Sequence, residues 1–144
     1  MTPPLVFADT NLFLRYLTND LPKQADAVEK LLQQAAIGEL TFVTNNMVLA
    51  EIVWTLESFY HLSKTEIKDK VLAIVNTPGL VISEDDLAVQ AITWFEEKNL
   101  DFIEAFNAAW LLKQGLTTAC TFNRKHFARF EDITVLTPGK GKST

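Results

Sequence analysis

The segment Leu5-Val6-Phe7-Ala8-Asp9-Thr10-Asn11 decides the fold class of this chain. Its first four residues are apolar without alternation, which is typical of a strand that is buried on both faces. Three polar residues follow directly, and in open parallel sheets ligands bind beyond the carboxyl ends of the strands. We therefore predict a first strand over 5–8 and a candidate site at Asp9, Thr10 and Asn11. The alternative is that these three side chains only cap the next helix.

The rest of the chain alternates between short apolar runs and amphipathic helical patterns. Strands separated by helices need crossover connections, so we expect an α/β three-layer sandwich with a central, mainly parallel sheet flanked by helices. With 144 residues, the chain is expected to form one domain over 1–138, with a frayed tail over 139–144. Further strands are predicted over 40–43, 80–82, 117–121 and 133–136, and helices over 21–38, 46–60, 63–76, 83–98 and 101–115.

The composition excludes several classes of protein. Apolar residues make up 48% of the chain and charged residues 22%, which is the balance of a globular protein and not of a disordered or fibrous one. The single cysteine, Cys120, cannot form a disulfide framework or a Cys-rich zinc site, so we expect a cytoplasmic protein. The N-terminal apolar stretch lacks a basic region, and no apolar window reaches about 18 residues, so we expect neither a signal peptide nor a membrane-spanning helix.

The net charge of −5 argues against a protein that holds nucleic acid by bulk electrostatics. The charge is nevertheless uneven, because residues 113–144 carry six basic groups and two acids, a net of +4, which leaves −9 on the rest. Arg124, Lys125 and Arg129 lie in this basic end and are candidates for guiding a phosphate backbone. The alternative is that they form a solvated face.

Candidate carboxylates also occur within helices and after the fourth strand. Glu51 lies in a helix that is poor in charge, where it is either held near the core by a partner or solvated on the rim. Asp101 and Glu104 share one helix face, and the alternative for them is a capping box. Asn123 follows the fourth strand, where Asn is also an ordinary turn residue.

These polar groups could converge at one edge of the sheet. Carboxylates that lie close together repel one another unless a cation compensates their charge. Oxygen ligands without His or Cys select Mg²⁺ or Mn²⁺, and such a site suits hydrolysis of phosphate esters.

Four short motifs occur in order along nearly the whole chain. They are FADTNLFLRYLT at 7–18, AEIV at 50–53, DFIEAFNAA at 101–109 and TFNRKHF at 121–127. In this order and at these separations they resemble the PIN-domain nucleases, and within them the VapC-like toxins of bacterial toxin-antitoxin pairs. The resemblance implies a PIN-like fold and a ribonuclease that depends on Mg²⁺, with Mn²⁺ as the alternative ion. It also implies RNA as substrate, a cognate antitoxin as partner and a homodimer.

The resemblance also implies a set of site residues. Asp9 and Glu104 would be the metal ligands, Glu51 would hold a water molecule, and Asn123 would position water or phosphate. The family usually has Asp at the last two of its four acidic positions. Glu104 keeps the charge but reaches one methylene further, whereas Asn123 loses the charge and can accept only through its amide oxygen.

Three further residues are expected to support these four positions. Thr10 or Asn11 would support Asp9. Asp101 lies one helical turn before Glu104 and is a candidate for the missing carboxylate.

Two other functions stay open at this point. Asn123 favours a catalytically weakened PIN domain that binds RNA or a protein, because a lost ligand charge weakens metal binding. An unrelated α/β phosphate-transfer domain is disfavoured, because the first strand ends in Asp9-Thr10-Asn11 and not in paired acids or Asp-x-Asp. The helix over 46–60, with Met47 and Trp54 outside its main apolar stripe, is the expected homodimer interface.

Overall fold

A computed structural model describes residues 2–139 of the chain. Internal contacts divide the chain into two compact units, Met1–Val89 and Gln90–Thr144, called the first and second unit below. No helix between residues 2 and 139 has the length and apolar character needed to cross a bilayer. The predicted frayed tail over 139–144 lies outside the described residues except for Gly139, and the single domain over 1–138 stays a prediction.

Every predicted strand and helix is present, and one helix that was not predicted, over residues 10–18, follows the first strand. The first unit contains β1 (Leu5–Phe7), α1 (Thr10–Thr18), α2 (Pro22–Ala36), β2 (Thr41–Thr44), α3 (Asn46–Ser58), α4 (Lys64–Val75) and β3 (Leu80–Ile82). Helix α5 (Asp85–Glu97) crosses the boundary between the units. The second unit contains α6 (Phe102–Lys113), β4 (Thr118–Cys120), a 3₁₀ helix (Arg124–His126) and β5 (Thr134–Leu136).

The strands of residues 2–139 form two parallel sheets, one in each unit. In the first unit the order is β1-β2-β3, with Val6 opposite Phe42 and Val43 opposite Val81. In the second unit β4 pairs with β5, with Ala119 opposite Val135. The predicted α/β class, with parallel strands flanked by helices, is therefore confirmed.

Strand β1 forms where it is predicted but is not buried. Leu5, Val6 and Phe7 are 73%, 40% and 59% exposed, whereas Phe42 in the central strand β2 is 2% exposed. The expectation of burial on both faces was therefore wrong. An unbroken apolar run identifies a strand, but it does not reveal whether that strand lies in the middle or at the edge of its sheet.

Local capping signals determine where the helices of the first unit begin. Ser63 and Glu66 form the predicted capping box at the start of α4, which also lowers the pKa of the Glu66 carboxyl group. The side chain of Asn45 accepts a hydrogen bond from the Val48 N–H and caps α3. Helix α3 then buries Leu49 and Ile52 completely, and each such side chain contributes about 2 kcal/mol of hydrophobic stabilisation.

Gly79 forms the turn that leads into β3. Its φ of +79° lies in the left-handed region, and a Cβ at this position would overlap the backbone carbonyl of Ala35 at the end of α2. Its own carbonyl accepts a hydrogen bond of 2.8 Å from the Phe42 N–H in β2. Gly79 thus joins α2 to the sheet at a point where no side chain fits.

Candidate active site

The backbone that leads to Asp9 is fixed to β2 by the residue before it. Ala8 is fully buried. Its N–H donates a 2.9 Å hydrogen bond to the carbonyl of Val43, and its carbonyl accepts one of 2.9 Å from Oγ1 of Thr44. Both polar groups of the Ala8 backbone are therefore satisfied within the sheet, so the chain leaves the end of β1 in a defined direction.

Asp9 is the N-cap of α1. Its Oδ1 accepts a hydrogen bond of 2.8 Å from the Thr10 N–H, and its backbone is extended. The carboxylate also lies at the positive end of the helix dipole, which stabilises its negative charge. The capping alternative is therefore right for Asp9, but the residue is solvent-exposed, so capping does not remove its carboxylate from solvent.

Thr10 joins the start of α1 to the middle of α3. It is 5% exposed, and its hydroxyl donates a hydrogen bond to Oε1 of Glu51, 41 residues further along the chain. Glu51 is exposed, as expected for the alternative that places it on the rim of α3. Its carboxylate nevertheless has a protein partner, because it accepts the hydrogen bond from Thr10. We call Asp9, Thr10 and Glu51 the Thr10 cluster; Asn11 is exposed in the first turn of α1 and is not part of it.

A second hydrogen bond joins the other ends of α1 and α3, and sequence reasoning missed it. The hydroxyl of Tyr60, just after α3, donates to Oδ2 of Asp20, just after α1, at 2.6 Å. Thr18 donates to the other carboxylate oxygen of Asp20 at 2.9 Å. These two hydrogen bonds, with that from Tyr60 the larger influence, lower the pKa of the Asp20 carboxyl group. The helices that carry the Thr10 cluster are thus linked at two points.

The second unit brings together Glu104, Asn123 and His126, which we call the His126 cluster. Oε1 of Glu104, in the first turn of α6, lies 3.0 Å from Nε2 of His126. Nδ2 of Asn123 lies 2.7 Å from the same ring nitrogen. The sequence favours a surface or packing role for His126, because no second His or Cys lies at metal-ligand spacing. Its spacing of three residues from Asn123 in a short turn is nevertheless a usable signal.

Asp101 precedes α6 as its N-cap residue, but its side chain makes no capping hydrogen bond. The capping-box alternative for Asp101 and Glu104 was therefore wrong: the Glu104 carboxylate instead lies against His126 of the following segment. Asp101 is exposed beside this helix start, and its role as a replacement carboxylate stays a prediction.

The predicted basic residues lie on or just after the 3₁₀ helix. Arg124 and Lys125 are exposed within it. The guanidinium of Arg129 donates to the backbone carbonyl of Lys98, so this side chain also helps to satisfy the end of α5. Phe122, which sequence reasoning did not single out, is 80% exposed directly before Asn123. Contact of these residues with RNA stays a prediction.

The oxygen donors of each cluster, taken by itself, are of the kind that a hard divalent cation prefers. The Thr10 cluster supplies the carboxylates of Asp9 and Glu51, and the His126 cluster supplies the carboxylate of Glu104 and the amide of Asn123. Mg²⁺ and Mn²⁺ prefer such ligands. Between residues 2 and 139, no three or more Asp, Glu, His or Cys side chains form a ready-made metal-binding group.

Comparison with known proteins identifies the family of this chain. The solved structures that are similar include VapC20 of Mycobacterium tuberculosis, described as a Sarcin-Ricin loop cleaving toxin, and a toxin-antitoxin complex from Klebsiella pneumoniae. The first is 19% identical, with 87% of this chain and 95% of that chain covered and a TM-score of 0.39. The second is 21% identical, with 94% and 97% covered and a TM-score of 0.33. A search of curated proteins found no match. The family model for the PIN domain matches residues 6–133, so this chain belongs to the PIN-domain family.

Proposed function

We propose that this protein is a divalent-metal-dependent endoribonuclease and the toxin of a toxin-antitoxin pair. The Thr10 cluster carries this proposal, because it brings two exposed carboxylates to the start of one helix in a chain of the PIN-domain family. Like charges brought close together are unfavourable without a compensating cation. A hydroxyl that is almost fully buried and aimed at one of these carboxylates is consistent with a site that needs Glu51 in a fixed place.

In this proposal Asp9 and Glu104 would hold Mg²⁺, with Mn²⁺ as the alternative ion. Such an ion would supply a water molecule of lowered pKa and positive charge to offset the charge that develops on the phosphate. Glu51 holds the attacking water in line with the leaving oxygen, and Thr10 fixes the carboxylate of Glu51. Asn123 orients water or phosphate through its amide.

RNA is the proposed substrate, and the 3₁₀ segment of the second unit is its proposed contact. Arg124 and Lys125 are exposed there, and Arg129 follows, so cationic groups lie next to Asn123. Cations of this kind guide a phosphate backbone without reading its sequence. Phe122 is 80% exposed beside them, and exposed aromatic side chains stack on unpaired RNA bases.

A cognate antitoxin and a second copy of the chain are the proposed protein partners. Both follow from the resemblance of the four motifs to VapC-like toxins. The expected dimer surface on α3 is available, since Met47 and Trp54 are 80% and 68% exposed and lie two helical turns apart on one face. The single cysteine supports the cytoplasm as the proposed location.

Cleavage by the wild type and by Asp9→Asn, in Mg²⁺, Mn²⁺ or EDTA, tests the proposal. Structured and single-stranded RNAs should both be offered. Asn is as good an N-cap as Asp, so the variant should fold normally while losing about 100-fold or more of its activity. Asp26→Asn, an exposed acid on α2, is the matched control and should retain full activity. Cleavage that persists in EDTA, or in Asp9→Asn, would rule out the metal mechanism.

The second candidate is a PIN domain that binds RNA or a protein without cleaving RNA. Asn123 favours it, because the side chain occupies a position where the family usually supplies a charge. If the folded, antitoxin-free wild type cleaves none of the RNAs in either ion but still binds them, this candidate replaces the nuclease.

A further inference from the structure

Three side chains meet at one ring nitrogen in the His126 cluster. Nε2 of His126 lies 3.0 Å from Oε1 of Glu104 and 2.7 Å from Nδ2 of Asn123. Glu104 and Asn123 are two of the four principal candidate site residues. His126 therefore contacts both candidate residues of the second unit.

The local backbone explains why His126 and Asn123 meet. Asn123 is the N-cap of the 3₁₀ helix, and the His126 N–H donates to its carbonyl at 3.4 Å. Side chains three residues apart eclipse one another in a 3₁₀ helix, so the imidazole is stacked next to the Asn123 amide. The segment after this short helix is anchored at Phe130, which is 7% exposed and packs edge-on against Trp94.

A single hydrogen on Nε2 accounts for both contacts when the Asn123 amide is assigned with its oxygen toward the ring. An N–H at this position donates to the Glu104 carboxylate, but it then cannot accept from the Asn123 NH₂ group. Rotating the Asn123 amide by 180° exchanges its nitrogen and oxygen, and the oxygen then faces the same N–H. His126 would thus hold Glu104 and Asn123 side by side with one shared donor.

The contact is too exposed to matter much for folding. The His126 and Glu104 side chains are 37% and 24% exposed, and ion pairs in contact with solvent contribute little to stability. The contact matters more for the conformation of Glu104 than for folding. A Glu side chain has one more rotatable bond than Asp, so it has more conformations to lose when it binds an ion. Fixing Oε1 restricts that freedom and leaves Oε2 to be presented in one direction.

We propose that His126 is a positioning residue that holds Glu104, together with Asn123, in the orientation needed to bind the divalent ion. The inference rests on the proposed function, in which Glu104 is a metal ligand. Hydrogen bonds to a ligating carboxylate are a general means of orienting it, and their loss typically reduces metal affinity or activity about 10- to 100-fold. A longer carboxylate in place of Asp is thereby made usable.

The test compares His126→Ala with His126→Gln, whose side-chain amide nitrogen lies the same number of bonds from Cα as Nε2. In His126→Ala, Mg²⁺ affinity measured by calorimetry without RNA should fall about 10- to 100-fold, and His126→Gln should recover most of it. If the wild type cleaves RNA, the kcat of His126→Ala should fall together with its Mg²⁺ affinity, while its KM for RNA stays unchanged. The melting temperature should move little in either variant. His61→Asn is the matched control, because His61 is exposed and has a φ of +55°, which Asn tolerates.

A measurement on the metal-free protein separates this inference from the proposed function. Carbon-13 relaxation of the Glu104 methylenes should show greater mobility in His126→Ala than in the wild type, and restoration in His126→Gln. Equal Glu104 mobility and equal Mg²⁺ affinity in wild type and His126→Ala would overturn the positioning role. A wild type that cleaves no RNA would instead refute the nuclease, while the relaxation result would still decide whether His126 orders Glu104.

Discussion

The Thr10 cluster and the His126 cluster hold their carboxylates in different ways. In the Thr10 cluster, a nearly buried hydroxyl at a helix start contacts Glu51, and the backbone beneath Asp9 is fixed to the sheet through Ala8. In the His126 cluster, a half-exposed imidazole on a 3₁₀ turn contacts Glu104. Both clusters use side-chain hydrogen bonds, but the first joins two α-helices, whereas the second joins an α-helix to a short 3₁₀ turn.

Glu51→Gln gives the largest expected effect and tests whether charge or geometry matters in the Thr10 cluster. The amide oxygen of Gln can still accept the Thr10 hydrogen bond, so the fold and melting temperature should be unchanged. Without the charge, kcat for RNA should fall about 100- to 1,000-fold. Full activity in the folded variant would show that the hydrogen bond alone is what the cluster requires.

Gly79→Ala tests whether the first unit, which carries the Thr10 cluster, depends on the close approach of Gly79 to helix α2. A Cβ would overlap the Ala35 carbonyl and impose strain at a positive φ, so the free energy of unfolding should fall by about 3 kcal/mol. Gly38→Ala is the control. Its φ is +88° but nothing lies within 4 Å of the added Cβ, so urea denaturation should show a loss of only about 1 kcal/mol. Equal losses would mean that the close approach to α2 is unimportant.

Asn123→Asp tests the missing charge of the His126 cluster. A carboxylate at this position can still accept from Nε2 of His126, so the local geometry should persist. The added charge should raise Mg²⁺ affinity about 3- to 10-fold, measured by calorimetry. A decrease in affinity would indicate that the amide is needed as it stands.

Tyr60→Phe has the smallest expected effect and concerns the second link between α1 and α3. Because the hydrogen bond from Tyr60 lowers the pKa of Asp20 below its ordinary value of 3.8, it stabilises the folded state above that pH. This contribution is lost as the pH falls through the lowered pKa. The variant should be slightly less stable than the wild type at pH 7, and urea denaturation at well below pH 3.8 should show no difference. A difference that is unchanged at low pH would point to packing of the ring instead.

Features that depend on neighbours in the sequence were predictable. The capping box at Ser63, the strand over 80–82 and the end of α2 before Gly38 were all confirmed, because each is set by residues within one turn. The exposure of β1 was not predictable from its apolar residues, since it depends on which strands pair with it. The same holds for Arg129, whose contact with the carbonyl of Lys98 spans 31 residues.

By itself, the sequence determined the α/β class, the starts of helices α2 to α6 and the positions of the candidate carboxylates, because periodicity and capping act over a few residues. Only the tertiary structure decided their partners. Thr10 reaches Glu51 across 41 residues, and His126 comes to Glu104 from a different element. Hydrogen bonds of this kind depend on how the elements pack, and no periodic pattern in the sequence indicates them. The position of the His126 ring against Glu104 of α6 is therefore known only from the tertiary structure.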